Sequence, residues 1–352
     1  MSASSSAARP IARIQAERPR ALAGWLLIIA ALVFLMVVVG GITRLTESGL
    51  SITRWEPVAG TLPPLNAHDW QAEFDAYKAT PQYLQVNKGM TLDAFKQIYF
   101  WEYVHRLLGR VIGAVLALVI LLSWWRRAIP AGYGRRIVGI LLLGGLQGAI
   151  GWWMVASGLQ DRTEVSHIRL AIHLLAALLI FSVLIWTALD LLALARDRAA
   201  RPARLRAFPA LVLALLALQL MYGAFTAGLR AGYAYAEWPT MGGRLFPEGV
   251  AFLAPAWRNL VDQPIVVQFV HRWLAWLVAA VALGLAGWAF RHRFTFAPAA
   301  ILLTLACQIA LGIATLLSGV KIDVAVAHQA MAALLLASIV ATAHALGTRR
   351  AF

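Results

Sequence analysis

Four histidines lie at the edges of long apolar runs, His105 and His173 in the first half of the chain and His271 and His328 in the second. An ionisable group at membrane depth is costly unless something there binds it, and imidazole is a common protein ligand for haem iron. Each has a small residue four positions later: Gly109, Ala177, Ala275 and Ala332. On a helix such a residue shares the histidine's face and leaves the gap that a porphyrin ring needs beside its axial ligand. Two bis-histidine haem sites are one reading, and interfacial histidines bonded to water or backbone are the other. Recurrence of the pattern in both halves favours haem. Cofactors of this kind bind between facing helices of a bundle, which pairs the second apolar segment with the fourth and the sixth with the eighth.

The neighbours of these histidines differ between the halves. Arg106 and Arg272 directly follow His105 and His271, and a guanidinium pairs bidentately with a carboxylate such as a haem propionate. Snorkelling to the interface is the alternative for both, and Arg110 fits either role. Glu102 precedes His105 by three residues and so faces the same side of its helix, whereas Gln268 stands at the equivalent place before His271. A carboxylate beside only one of two haem sites points to chemistry there and a resident cofactor at the other. Its alternative is a helix cap. His68, His167, His292 and His344 fall outside the pattern and read as ordinary surface residues. The single cysteine, Cys307, excludes a disulfide framework and a cysteine-based metal site. There is no glycine-rich phosphate loop, metalloprotease histidine pair or paired-aspartate motif.

The elements that must position these groups are membrane helices. Of 352 residues 61% are hydrophobic and 13% charged. Eight apolar segments of about bilayer length run near 22–41, 103–125, 136–157, 167–189, 208–229, 265–290, 298–319 and 324–347. The expected fold is an all-α membrane protein, with eight transmembrane helices forming two pseudo-symmetric four-helix bundles. The net charge of +15 resides in short loops between apolar runs, so it speaks to topology and not to nucleic acid. Its distribution places both termini in the cytoplasm.

Residues 1–21 read as a retained cytoplasmic tail, although their Ser-, Ala- and Arg-rich, acid-poor composition is also that of a transit peptide. Residues 22–190 form the N-terminal half, 191–207 a cytoplasmic linker and 208–348 the C-terminal half. Two outer loops are long, 42–102 and 230–264. The first is expected to fold over the membrane face with short helices near 66–79 and 91–98, and with Trp55, Trp70, Phe74 and Tyr77 anchoring it at the interface.

An internal repeat supports the division. Gly40, Thr43 and Gly49 match Gly223, Thr226 and Gly232 at one fixed offset, and Gln147, Gly151, Ser157 and Gly158 match Gln308, Gly312, Ser318 and Gly319 at another. Val104-His105-Arg106 matches Val270-His271-Arg272. Parallel repeats are related by an axis along the membrane normal, which sets equivalent sites side by side at one depth.

These residues resemble the haem A synthase family, in the form shared by proteobacteria and mitochondria. The resemblance is carried by residues 40–50, 74–83, 91–98, Glu102 to Arg110, 239–242 and His271-Arg272. It implies oxidation of the C8 methyl of haem O to a formyl group, giving the haem A of terminal oxidases such as cytochrome c oxidase, in the bacterial inner membrane. By the same resemblance His271, His328 and Arg272 hold a haem b cofactor, while His105, His173 and Arg106 hold the substrate beside a catalytic Glu102. The implied partners are haem O, the haem O synthase, an electron donor or acceptor and membrane lipid. Homo-oligomers are open and nucleic acid is not implied. Relatives without the long first loop often carry a cysteine pair there, and this sequence does not, so thiol chemistry is not implied.

Two other functions compete. A diheme electron carrier has no need of an acid at one site only, and a haem transporter calls for helices broken at the midplane. For the enzyme, either an axial histidine leaves the iron, or electrons are removed from the substrate and Glu102 stabilises the charge that develops before water adds.

Overall fold

The computed structural model describes residues 17–56, 59–160 and 162–348, so most of the expected tail, residues 1–16, lies outside the described residues. Eight helices are long and apolar enough to cross a membrane. In chain order they are α1 (Pro19–Leu45), α4 (Leu92–Trp125), α5 (Gly134–Leu159), α6 (His167–Arg196), α7 (Ala207–Gly228), α9 (Pro264–Arg291), α10 (Phe296–Leu317) and α11 (Ile322–Thr348). The first outer loop adds α2 (Ala67–Lys78) and α3 (Pro81–Gln85), and the second adds the single turn α8 (Asn259–Asp262). Among the described residues β structure is limited to one isolated bridge, Met241 to Arg244.

Local chemistry explains the helix starts. Pro19 and Pro264 occupy first turns, where the missing N–H costs nothing. Thr91 caps α4 by accepting from the Ala94 N–H, and Ser166 caps α6 by accepting from the Arg169 N–H. No proline interrupts α4, so the short helix expected near 91–98 is the outer end of that 34-residue helix and not a separate element. The helix expected near 66–79 is α2.

The halves, α1 with α4 to α6 and α7 with α9 to α11, meet along α1, α6, α7 and α11. In lipid, helices associate by close packing and not by escape from water, and this seam is accordingly rich in small residues. Ala23, Ala188 and Ala343 are fully buried there with Leu26, Ile29, Leu184, Leu191 and Ile339. The pseudo-symmetry is visible at the end that carries the two long loops. Glu47 and Arg230 are equivalent by the offset that relates Gly40 to Gly223; both have left-handed backbone, with φ of 56° and 52°. They pair with each other at 2.5 Å, so the axis passes between them. Glu164 joins this pair through Arg230 and also binds Arg44 at 2.8 Å.

Three expectations are corrected here. Phe74 and Tyr77 do not anchor the loop to lipid: they are buried with Phe95 and Tyr99 in an aromatic core of the loop's own, and Trp70 packs edge-on against Tyr99. Trp55 alone of the four is largely exposed. Nor are His167 and His344 surface residues. His344 is buried near the end of α11, where its Nε2 lies 2.9 Å from Asp190 Oδ1, and Arg136 binds the other oxygen of the same carboxylate. His167 is buried at the start of α6 against Phe225, 3.3 Å from Asp262. Both acids come from distant segments, which composition cannot reveal. His68 is exposed as expected, and His292 packs against Trp288.

Candidate functional site

Each of the four histidines has a glycine of the neighbouring helix against its ring. A Cβ built on Gly151 of α5 would sit 2.9 Å from His173 Cε1, and one on Gly312 of α10 would sit 2.9 Å from His328 Cε1. On Gly223 of α7 it would be 3.1 Å from His271 Cε1, and on Gly40 of α1 it would be 3.5 Å from His105 Nε2. Contacts below 3.0 Å essentially never occur for a real Cβ, so Gly151 and Gly312 are required by the rings beside them. Four of the eight repeat-matched glycines of the sequence, Gly40, Gly151, Gly223 and Gly312, are therefore the floors of the histidine positions. His105 and His173 lie within electrostatic reach of one another, as do His271 and His328.

Glutamines hold three of the rings. The Gln147 amide nitrogen is 3.1 Å from His173 Nδ1 and donates to the His173 carbonyl at 3.0 Å; Gln219 does the same to His271, at 3.1 and 2.9 Å. Gln308 reaches His328 at the other ring nitrogen, Nε2, at 3.4 Å, and His328 Nδ1 is buried without a partner. The amide oxygens of all three glutamines are buried and unpartnered. A ligating imidazole donates from the nitrogen it does not give to the metal, and a half-turn of such an amide, at the expense of its bond to the main chain, presents an oxygen to receive that proton. Paired imidazoles, a glycine floor under each ring and spare amide acceptors fit a bis-histidine haem in each half. Gln147 and Gln308 are already marked by the repeat. Gln219 is a site residue that the sequence reading missed.

The residues flanking the outer histidines form a second repeated device. Arg106 donates to the carbonyls of Ile52 and Arg54, at 2.8 and 2.9 Å. Arg272 donates to the carbonyls of Tyr235 and Glu237, at 2.8 and 2.9 Å, and to Thr240 at 3.1 Å. Ile52 and Arg54 match Tyr235 and Glu237 by the same offset as Glu47 and Arg230, so each arginine fastens the equivalent stretch of its outer loop. The propionate role expected of them thus has a competitor: Arg272 is 5% exposed and already surrounded by carbonyl acceptors.

Glu102 is 2% exposed and accepts three hydrogen bonds, from Ser51 Oγ at 2.8 Å, the Ile52 N–H at 2.8 Å and Arg106 at 2.7 Å. It is no helix cap, since α4 begins at Leu92 under its own cap. Gln268 occupies the matching place and donates to the Tyr235 carbonyl at 3.1 Å. Arg110 donates to the Glu56 carbonyl at 2.8 Å, which places it under the loop. Above Arg106 and Arg110 the loop borders a partly open cavity, lined also by Glu73, Tyr99 and Tyr103.

Comparison with known proteins agrees with this architecture. The model of the cytochrome oxidase assembly protein family matches residues 23–340. The chain is 63% identical over 340 residues to the heme A synthase of Rhizorhabdus wittichii, covering 96% of this chain and 97% of that one. It is 52% identical to that of Sphingopyxis alaskensis, covering 99% and 98%, and 48% identical to that of Rhodospirillum centenum, covering 94% and 90%. A match along nearly the whole length, through both histidine-bearing halves, means that the chain belongs to the haem A synthase family.

Proposed function

We propose that this chain oxidises the C8 methyl group of haem O to a formyl group, supplying haem A to terminal oxidases as a multi-pass enzyme of the bacterial inner membrane with both termini in the cytoplasm. The substrate lies between His105 and His173, and a resident haem b between His271 and His328. The observation that carries this is the recurrence in both halves of a histidine pair with a glycine of the adjacent helix against each ring. Function divides between the halves at the position one turn before the outer histidine, where Glu102 in one half stands against Gln268 in the other.

Haem b, held by His271 and His328, would supply one-electron transfer. Converting a methyl to a formyl group with water as the oxygen source releases four electrons and four protons. The electrons leave to a redox partner outside the chain, and the haem O synthase delivers the substrate. Glu102 lies one helical turn from His105, and its carboxylate is held by three donors before substrate arrives. A preorganised negative charge in a water-poor site stabilises positive charge developing on the methyl carbon at no cost of reorganisation.

Haem extraction and chromatography on membranes expressing the protein with a haem O supply test this directly. Haem A or its hydroxymethyl precursor is expected. His271→Ala and His328→Ala should each abolish the low-spin b-type spectrum while the protein remains in the membrane. Unchanged haem b in both variants would overturn the assignment of the C-terminal site, and haem O as sole product in the wild type would leave an electron carrier.

A further inference from the structure

The offset that matches Gly40 to Gly223 and Glu47 to Arg230 also matches Met36 to Gln219. Gln219 is the residue that grips His271, through both its ring nitrogen and its carbonyl. At the same place beside His105, α1 offers a thioether that has no N–H to donate and only a weak acceptor. The Met36 methyl lies 3.5 Å from where a Cβ on Gly109 would be, so this side chain reaches the gap one turn along from His105. The His105 ring is also turned differently from the others. It presents Nε2 to its glycine at 3.5 Å, whereas the other three present Cε1 at 2.9 to 3.1 Å.

We infer that Met36 makes His105 the yielding ligand of the four, so that the N-terminal site exchanges its haem while the C-terminal site retains one. This rests on the two-site reading above and adds the residue that decides which site lets go. The chemistry requires such a difference. A substrate must enter and a product must leave at every turnover, whereas a cofactor of the same ring structure must stay. Both sites use two imidazoles, so the ligand set alone cannot separate them. A glutamine turned so that its amide oxygen accepts the distal ring N–H can, because it fixes the ring's rotation and strengthens the imidazole as a donor to iron. His173 and His328 each keep a glutamine of the adjacent helix beside the ring, Gln147 on Nδ1 at 3.1 Å and Gln308 on Nε2 at 3.4 Å, so each site has one glutamine-partnered ligand and only the other position varies.

The test is haem release from the purified full chain. Protein filled with added haem b is mixed with excess apomyoglobin, and transfer is followed by absorbance. A fast and a slow phase are expected, the fast one absent in His105→Ala and the slow one absent in His271→Ala. Met36→Gln should slow the fast phase about tenfold, and Gln219→Met should speed the slow phase by a similar factor; tenfold is about 1.4 kcal/mol, the scale of one hydrogen bond. Met36→Leu, which keeps the volume and adds no amide, should release at the wild-type rate. The inference is overturned if Met36→Gln and Met36→Leu behave alike, or if the fast phase belongs to His271. If neither phase responds to either histidine, the two-site reading itself falls and takes this inference with it.

Discussion

In the two halves an arginine after the outer histidine fastens the same two carbonyls of its own loop, yet the residue one turn earlier is an acid in one half and an amide in the other. Arg106 and Arg272 repeat each other atom for atom onto Ile52, Arg54, Tyr235 and Glu237. Glu102 accepts from the Ile52 N–H, whereas Gln268 donates to the Tyr235 carbonyl. The loops diverge too: the N-terminal one buries an aromatic core around Tyr77 and Phe95, whereas in the C-terminal one Phe246 stacks on an exposed Phe252 and packs against Phe269. The two halves share the framework that holds a histidine at the loop-bearing end and differ at the adjoining positions. The latch is common to both halves, and the chemistry is assigned to the side chains around it.

The largest expected effect comes from filling a ring's floor in one half at a time. Gly312→Val puts branched carbon where a Cβ alone is already 2.9 Å from His328, so the b-type spectrum should disappear almost completely. Gly151→Val makes the same intrusion on His173. It should leave the b-type spectrum in place and abolish haem A formation. Spectra and chromatography at equal membrane protein level separate the two results, and loss of haem b from Gly151→Val would show that the sites are not independent.

Exchanging the residues that distinguish the halves comes next. Glu102→Gln keeps size and the contacts of Ser51 or Ile52 but removes the charge, so product should fall about a hundredfold with haem content nearly unchanged. An early stall should accumulate the hydroxymethyl haem. Gln268→Glu sets a carboxylate against the Tyr235 carbonyl, which accepts from Gln268 and also from Arg272. Its cost should fall on stability, at about 1–3 kcal/mol, with no gain of oxidation in the C-terminal half. Turnover within a few-fold of wild type in Glu102→Gln would reduce that residue to a part of the latch.

Much of this framework was legible in the sequence, for definite reasons. Hydropathy finds spans because every backbone polar group in lipid must be satisfied within the helix, and the repeat finds halves because equivalent glycines serve equivalent rings. The Met36 and Gln219 contrast was also available from the offset that relates Gly40 to Gly223. The partners of Arg106 and Arg272 were not, since main-chain carbonyls of a loop carry no residue signature. Asp190 and Asp262 lie far in sequence from His344 and His167, so burial of those histidines had no local sign. The loop's aromatics mislead for a physical reason: Phe and Tyr serve equally as membrane anchors and as a small domain's core, and only the arrival of Phe95 and Tyr99 from α4 decides between them.

The smallest expected effect concerns that loop, which the C-terminal half does not match. Burial beneath the loop raises the Glu73 carboxyl above its usual range, partly offset by the nearby Arg54, and one of its oxygens is buried without a hydrogen-bond partner. A carboxyl whose folded value is raised holds its proton more tightly in the folded state than in the unfolded one. Folding stability therefore declines as pH rises from the unfolded value through the folded one and levels off above it. Glu73→Gln is neutral throughout and should remove this slope. Thermal melting of the detergent-solubilised protein at pH 4 and pH 7 should show the wild type losing more stability across that interval than the variant, by about 2 °C or less for one half-buried group. Equal slopes in the two proteins would mean that the loop opens enough to solvate Glu73.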